Sequence, residues 1–359
     1  MAQITEQKCP SCGGPLRFDP ARGKLVCDYC GSAVEIGDAP VSPAEPTVEG
    51  FDFGALNAQA ADGGAQALPV YHCVSCGAEV IAPAEQIALT CPYCGNNIVL
   101  TDKVSGKLRP DGMLPFTIDR KSLPGAMNRF YKDKALLPKR FFSESTMGKV
   151  TGVYVPFWVF NGRMSGELTY RAEHTTSARQ GDYIVTDTAH YRLSRDVDLT
   201  FENVPVDASG RIDDALMDSL EPFRMEDAKP FDMRYLAGFT ADRFDRARDD
   251  IAERAESRMV NTAHRLADRA VAGEYESPVL TGGSLRADLS AKYMLFPVYL
   301  FDILHGGKSY HFAVNGQTGK VVGSVPTDKG VSFAYFLKRA LPVAGGVLLL
   351  SFIRYMMGG

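Results

Sequence analysis

The chain has 359 residues, a formal net charge of −4, 45% hydrophobic residues and 23% charged residues. That length allows two or three domains with a sizeable core, and the small net charge excludes a protein that holds nucleic acid by overall positive charge. Charge is instead segregated: residues 103–150 carry eleven Lys/Arg against four Asp/Glu, and residues 201–260 carry fifteen Asp/Glu against nine Lys/Arg.

All eight cysteines fall in the first 94 residues. The opening residues, MAQITEQKC, hold no apolar stretch, so the expectation is a chain without a secretory signal, in a reducing compartment where cysteines serve as metal ligands rather than disulfides. The cysteines form four C-x-x-C pairs: Cys9/Cys12, Cys27/Cys30, Cys73/Cys76 and Cys91/Cys94. Fourteen residues separate the inner cysteines of each set, and the second set repeats the first at an offset of 64. Each pair is followed by glycine, at 13, 31, 77 and 95. This is the zinc-knuckle pattern, in which a tight turn brings two thiolates to one side and glycine accepts the positive φ of the turn.

Four thiolates around one Zn²⁺ close the coordination sphere, so both sites are expected to be structural. Residues 1–37 form the first ribbon and 69–101 the second. Hairpins are expected from Pro15–Phe18 with Lys24–Cys27, and from Glu79–Ala82 with Ile87–Thr90 around Pro83. Such units are too small for a core of their own, so metal must supply folding energy on the order of 10–16 kcal/mol per site. His72 precedes the knuckle and is not counted as a ligand.

Zinc ribbons also occur in nucleic-acid proteins, but residues 68–101 contain no Lys or Arg. The thiolates add negative charge, so this ribbon should repel phosphate. The basic stretch 103–150 is the one footprint left for nucleic acid. Residues 38–68, with Pro40, Pro43 and Pro46 and an Ala/Gly-rich run, read as a flexible linker. Phe51 and Phe53 within it read as residues that dock on a neighbouring surface.

Residues 102–330 read as one α+β domain. Val155–Phe160 (VPFWVF) and Phe296–Phe301 (FPVYLF) resemble each other, with equal Pro-to-Phe and Pro-to-Gly spacings, which suggests two related halves. Each reads as an apolar strand, a turn and a second strand, with Gly166 and Tyr170 matching Gly307 and His311. A helix is expected over 241–272, with Phe244, Ile251, Ala255, Met259, Thr262 and Leu266 on its inner face and Gly273 as its stop. Another is expected to start near Asp119, an N-cap, although Pro124 and Gly125 weaken its first turns. Asn315–Gly319 reads as a hairpin loop, not a phosphate loop, because no helix or G-K-[ST] follows.

No nucleotide-binding, hydrolase or metalloprotease motif is present, and no cysteine is left over as a nucleophile. The acidic cluster Asp213, Asp214, Asp218 and Glu221 has helical spacing and reads as a solvated face rather than a cation site. No catalytic residue is assigned. Residues 331–359 form a hydrophobic tail: Ala340–Ile353 is uncharged, with Lys338 and Arg339 before it and Arg354 after it. If Arg354 snorkels, the stretch to Met357 spans about 27 Å, which suits membrane association with the two basic residues on the cytoplasmic side.

The stretches VTGVYVPFWVF, DDALMDSLEPF, RYLAGFTADRFD and NGQTGKVVGSVPTDKG, taken with the cysteine pairs, resemble a bacterial family of membrane-associated proteins with TFIIB-type zinc ribbons, the YdjG-like group. That resemblance implies a membrane anchor after the α+β domain. It also implies work beside PspA-like or SPFH-type membrane-stress proteins, and zinc ligands at the eight cysteines. The reading is therefore a non-enzymatic, zinc-binding interaction scaffold at the cytoplasmic side of the membrane. Its rivals are a zinc-ribbon nucleic-acid regulator and an enzyme housed in the α+β domain.

Overall fold

The computed structural model describes residues 4–38, 42–43, 70–73, 76–82, 85–93, 96–100, 109–132, 134, 136–138, 141, 146–147, 150–327 and 329–357. Phe51 and Phe53 lie outside these residues, as does most of the expected linker. The architecture is mixed α+β, with cysteine clusters in front, a sheet-rich body and an apolar helix at the end.

In the first ribbon, β1 (Leu16–Asp19) and β2 (Lys24–Cys27) pair as an antiparallel hairpin. Asp19 shapes the turn: its Oδ1 accepts from the backbone N–H of Ala21 at 3.0 Å, and Gly23 closes the turn at φ +64°. Leu16, Phe18 and Leu25 all point inward, as alternation along the strands requires, and all are buried. They are not buried by the ribbon alone. Phe18 meets Tyr235 edge-on at 5.1 Å, and its N–H donates to the carbonyl of Ala237 at 3.0 Å. The body therefore supplies part of the core that so small a unit lacks.

The second ribbon departs from the expected hairpin. Glu79–Ile81 pairs with Val70–His72 in a separate two-stranded sheet. β3 (Gln86–Thr90) pairs instead with β4 (Asn97–Leu100) and, through Ala88, with the body. The strands on either side of Pro83 thus enter different sheets. Ile87 and Leu100 are fully buried, so this ribbon is sewn into the main sheet rather than held apart from it.

Helix α1 (Leu123–Lys132) follows a 3-10 turn capped by Asp119, whose Oδ1 accepts from the N–H of Ser122 at 2.9 Å. Pro124 and Gly125 lie in its first turn, where proline loses no intrahelical bond, and they do not break it. Next come β5 (Thr151–Gln180), β6 (Tyr183–Asp207), α2 (Asp214–Ser219), β7 (Thr240–Asp242) and α3 (Arg248–Ala272). The chain continues through β8 (Glu276–His305), β9 (Lys308–Asn315), β10 (Val321–Gly323) and α4 (Lys329–Met357). β5 lies between β6 and β8, and β3 joins this sheet through β7.

The two similar segments lie side by side in the sheet, but the expected match of Gly166 and Tyr170 with Gly307 and His311 does not hold. Val155 faces Phe296, Pro156 faces Leu295 and Tyr154 faces Pro297, so the two apolar motifs are antiparallel neighbours related by a local two-fold. Phe157 and Phe296 stack across the pair at 4.4 Å. Phe157 then pairs with Asp207 on β6, and Val298 pairs with Asn315 on β9. The carbonyl of Pro156 accepts from Ala208, and that of Pro297 accepts from Gly316. Asp207 and Asn315 are therefore equivalent, and both are fully buried. Gly166 and Tyr170 do not match Gly307 and His311, because both sit within β5 rather than after a turn. The turn equivalent to Gly306–Gly307 is Gly181–Asp182, since the first hairpin is a much longer arm.

α3 lies along this arm. Its buried residues are Ile251, Ala255, Met259, Ala263, Ala267 and Val271, a spacing of four that keeps one stripe inward along most of the 25-residue helix. They pack against Phe160, Met164, Leu168 and Tyr170 of β5. Leu266, expected on the inner face, is exposed, and Phe244 precedes the helix and packs on Trp158 at 5.2 Å. Gly273 does follow the last turn and donates to the carbonyl of Arg269.

Candidate metal centres

The knuckles share one local geometry. The N–H of Gly13 donates to the carbonyl of Cys9 at 2.8 Å, that of Gly31 to Cys27 at 3.0 Å and that of Gly77 to Cys73 at 2.7 Å. These glycines have φ values of +71°, +73° and +73°. A side chain in that left-handed region costs about 1–2 kcal/mol, which is why glycine follows each pair. In each of these knuckles the first cysteine is buried and the second is exposed.

The turns bring sulfur to sulfur. The ligand atoms of Cys9, Cys12, Cys27 and Cys30 all lie within 4.8 Å of one another, as do those of Cys73, Cys76 and Cys91. Cys94 lies outside the described residues. The individual separations test the fit. Cys9 Sγ and Cys30 Sγ are 3.6 Å apart, Cys12 and Cys27 are 3.5 Å apart, and Cys76 and Cys91 are 3.9 Å apart. A tetrahedron with Zn–S bonds of about 2.3 Å has edges of about 3.8 Å, whereas a disulfide is about 2.05 Å long. The clusters fit zinc and do not fit disulfides.

The surroundings prepare at least one ligand. Cys30 Sγ lies 3.1 Å from Ser32 Oγ, and this contact, with the Ser32 backbone, draws the thiol down to about 6. A thiolate is the form that binds metal; Cys12 in the same cluster, against the pull of the Gly14 N–H, is pushed up to about 12 by Cys30 and Cys27, so Cys30 is the ligand prepared in advance and Cys12 is not. Four sulfurs leave no coordination position for water or substrate, so what the ion supplies is cross-linking.

The TFIIB zinc-binding family matches residues 7–47. Across its length the chain is 33% identical to the protein named Uncharacterized protein YdjG of Bacillus subtilis (strain 168), over 359 residues that make up 99% of each chain. This chain belongs to the YdjG family. No solved structure matches it.

A second polar site in this YdjG-family chain is only half legible in the sequence. Asp213 caps α2, accepting from the N–H of Leu216 at 2.8 Å. Asp214, Asp218 and Glu221 are not a simple solvated face, because arginines on and before α3 meet them. Arg246 reaches Asp214 at 3.0 Å, Arg254 reaches Asp218 at 2.7 Å and Arg258 reaches Glu221 at 2.7 Å. Arg254 also reaches the buried Asp207 at 2.9 Å. Burial raises Asp207 to about 6 against the opposing pull of Arg254, and its Oδ2 has no partner among the described residues. The cluster is a clamp between α2 and α3. Asp207 escaped sequence reasoning because nothing local marks it as buried; its equivalence to Asn315 is the signal that could have.

Proposed function

We propose that this protein is a non-enzymatic, zinc-organised scaffold held at the cytoplasmic side of the cell membrane, presenting its ribbons to a protein partner. The observation that carries the reading is α4. Gly330–Ser351 is a 22-residue window of mean hydropathy 1.5, and none of it is buried against the body. Phe333, Phe336, Leu341 and Leu348 are all more than half exposed. A helix packed on its own protein would hide these side chains. At 1.5 Å per residue the stretch from Ala340 to Met357, the end of the helix, is about 27 Å long, close to a hydrocarbon core of about 30 Å. Lys338 and Arg339 stand just before this stretch, where their long stems reach the headgroup layer.

The ribbons supply the docking end. Tyr29 and Tyr93 occupy the same place in the two C-x-Tyr-Cys knuckles and are 73% and 72% exposed. Aromatic side chains on a metal-stiffened turn suit protein recognition, because little freedom is lost on binding. The partners favoured by the family resemblance are PspA-like or SPFH-type membrane proteins, with a role in envelope stress.

Alkaline extraction of membranes tests the anchor. The intact protein is expected to stay with the bilayer, and Leu349→Arg, at about 2.5–3.5 kcal/mol for a charge at mid-membrane, to move it toward the soluble fraction. External protease that cleaves the body in spheroplasts would overturn the sidedness. Cross-linking in membranes, with Tyr29→Ala and Tyr93→Ala as controls, tests the docking end. Salt-sensitive retention on DNA without membrane partitioning would favour the nucleic-acid reading instead.

A further inference from the structure

The two related hairpins each place a cation shortly after their buried polar residue: Arg211 after Asp207, and Lys320 after Asn315. The two cations have different surroundings. Arg211 lies 2.8 Å from Asp242 and 4.0 Å from Glu85, so its charge is met twice. Lys320 forms no ion pair among the described residues. Its Nζ donates to the backbone carbonyl of Glu221, whose carboxylate is held by Arg258.

Lys320 instead lines a groove of about 420 Å³ with Arg129 of α1, Thr318, Phe130 and Pro222. No carboxylate lines it. The Arg129 side chain has no hydrogen bond or ion pair among the described residues. Two cations thus share one groove with no carboxylate in its wall, and the Glu221 carboxylate that feels the charge of Lys320 is itself held by Arg258. The loop beneath them is fixed. Asn315 Oδ1 accepts from the N–H groups of Gln317 and Thr318, both at 2.9 Å. Asn315 Nδ2 donates to the carbonyls of Leu220 and Pro222, and Gln317 Oε1 accepts from Arg224. Asn315 and Gln317 are both buried, so Thr318 and Lys320 project from a loop that cannot easily relax away.

We propose that this groove binds a phosphate group, carried by a phospholipid headgroup or by a soluble phosphate ester. The guanidinium of Arg129 can take two phosphate oxygens at once, Lys320 adds a point charge and the Thr318 hydroxyl is free to donate. Phe130 and Pro222 offer an apolar wall to the carbon part of an ester. The groove is tethered close to α4. Val321 lines it, Val325 packs on the core, and the eight peptide steps from Val321 to Lys329 reach at most about 28 Å. In its lipid form the proposal rests on the membrane reading above; in its soluble form it does not.

The test is calorimetric titration of the full-length zinc-loaded protein in neutral detergent. The probes are inorganic phosphate, glycerol 3-phosphate and short-chain phosphatidylglycerol. Saturable binding of all three assigns the site to phosphate in general, and binding of the phosphatidylglycerol alone assigns it to a headgroup. Arg129→Ala with Lys320→Ala is expected to weaken binding about tenfold or more, since both charge-assisted contacts to the phosphate are lost. Arg129→Lys with Lys320→Arg should largely restore it. Lys121→Ala with Lys132→Ala, which removes equal charge from outside the groove, should leave it unchanged. Absence of saturable binding by the wild-type protein overturns the proposal, and so does an equal loss in the Lys121/Lys132 control. Alkaline extraction reads the membrane reading separately, so the two can fail independently.

Discussion

The glycine after each cysteine pair shows how far one residue can be argued. Gly31 has open space where a Cβ would go, so only its left-handed backbone resists substitution. Gly31→Ala is expected to cost about 1–2 kcal/mol, weakening zinc roughly five- to thirtyfold in a chelator competition. Asp207 makes a different prediction. Its acid is raised to about 6 from an ordinary 3.8, so the folded state holds a proton that the unfolded state has released. Stability is then favoured below about pH 4 and lost as pH rises through about 6. Asp207→Asn, which copies the residue found at the equivalent Asn315, should abolish that slope in thermal melts across this range. The cysteines were legible because their spacing is local and repeated. Asp207 was not, because its burial depends on which residue of β6 faces Phe157, and that is decided by a partner fifty residues away.

At the scale of elements, periodicity located α3 but rotated its face. Thr262 and Leu266 fit an inner stripe only if the helix is read from Phe244, which lies outside it. The sheet beneath selects the fourfold alanine-rich stripe because small side chains let the helix settle on Phe160 and Met164. Met259→Ala should therefore cost about 2–5 kcal/mol in denaturant unfolding, and Leu266→Gln about 0.5 kcal/mol or less. Equal effects would contradict the observed face. The long arm was missed for a related reason. Gly166 sits mid-strand, where its would-be Cβ lies 2.0 Å from the carbonyl oxygen of Ser284, so the glycine marks a close approach of backbones rather than a turn. Sequence spacing alone cannot separate these two uses of glycine.

For the molecule as a whole, fold class and the order of parts were readable, while the coupling between parts was not. The ribbons looked like separate metal-dependent units. Instead β3 continues the main sheet through β7, and Phe18 of the first ribbon enters the body's aromatic cluster beside Phe239. Metal removal should therefore be felt far from the metal. Trp158, the single tryptophan, lies in the body and reports on it. Its fluorescence melting midpoint is expected to fall when zinc is chelated, and an unchanged midpoint would mean that the ribbons are energetically separate. A chain carrying only one of the two related hairpins could not cover the edge at Val155–Phe157 by itself. It would have to borrow the missing strand from a second molecule, in the antiparallel register that Val155 and Phe296 keep today.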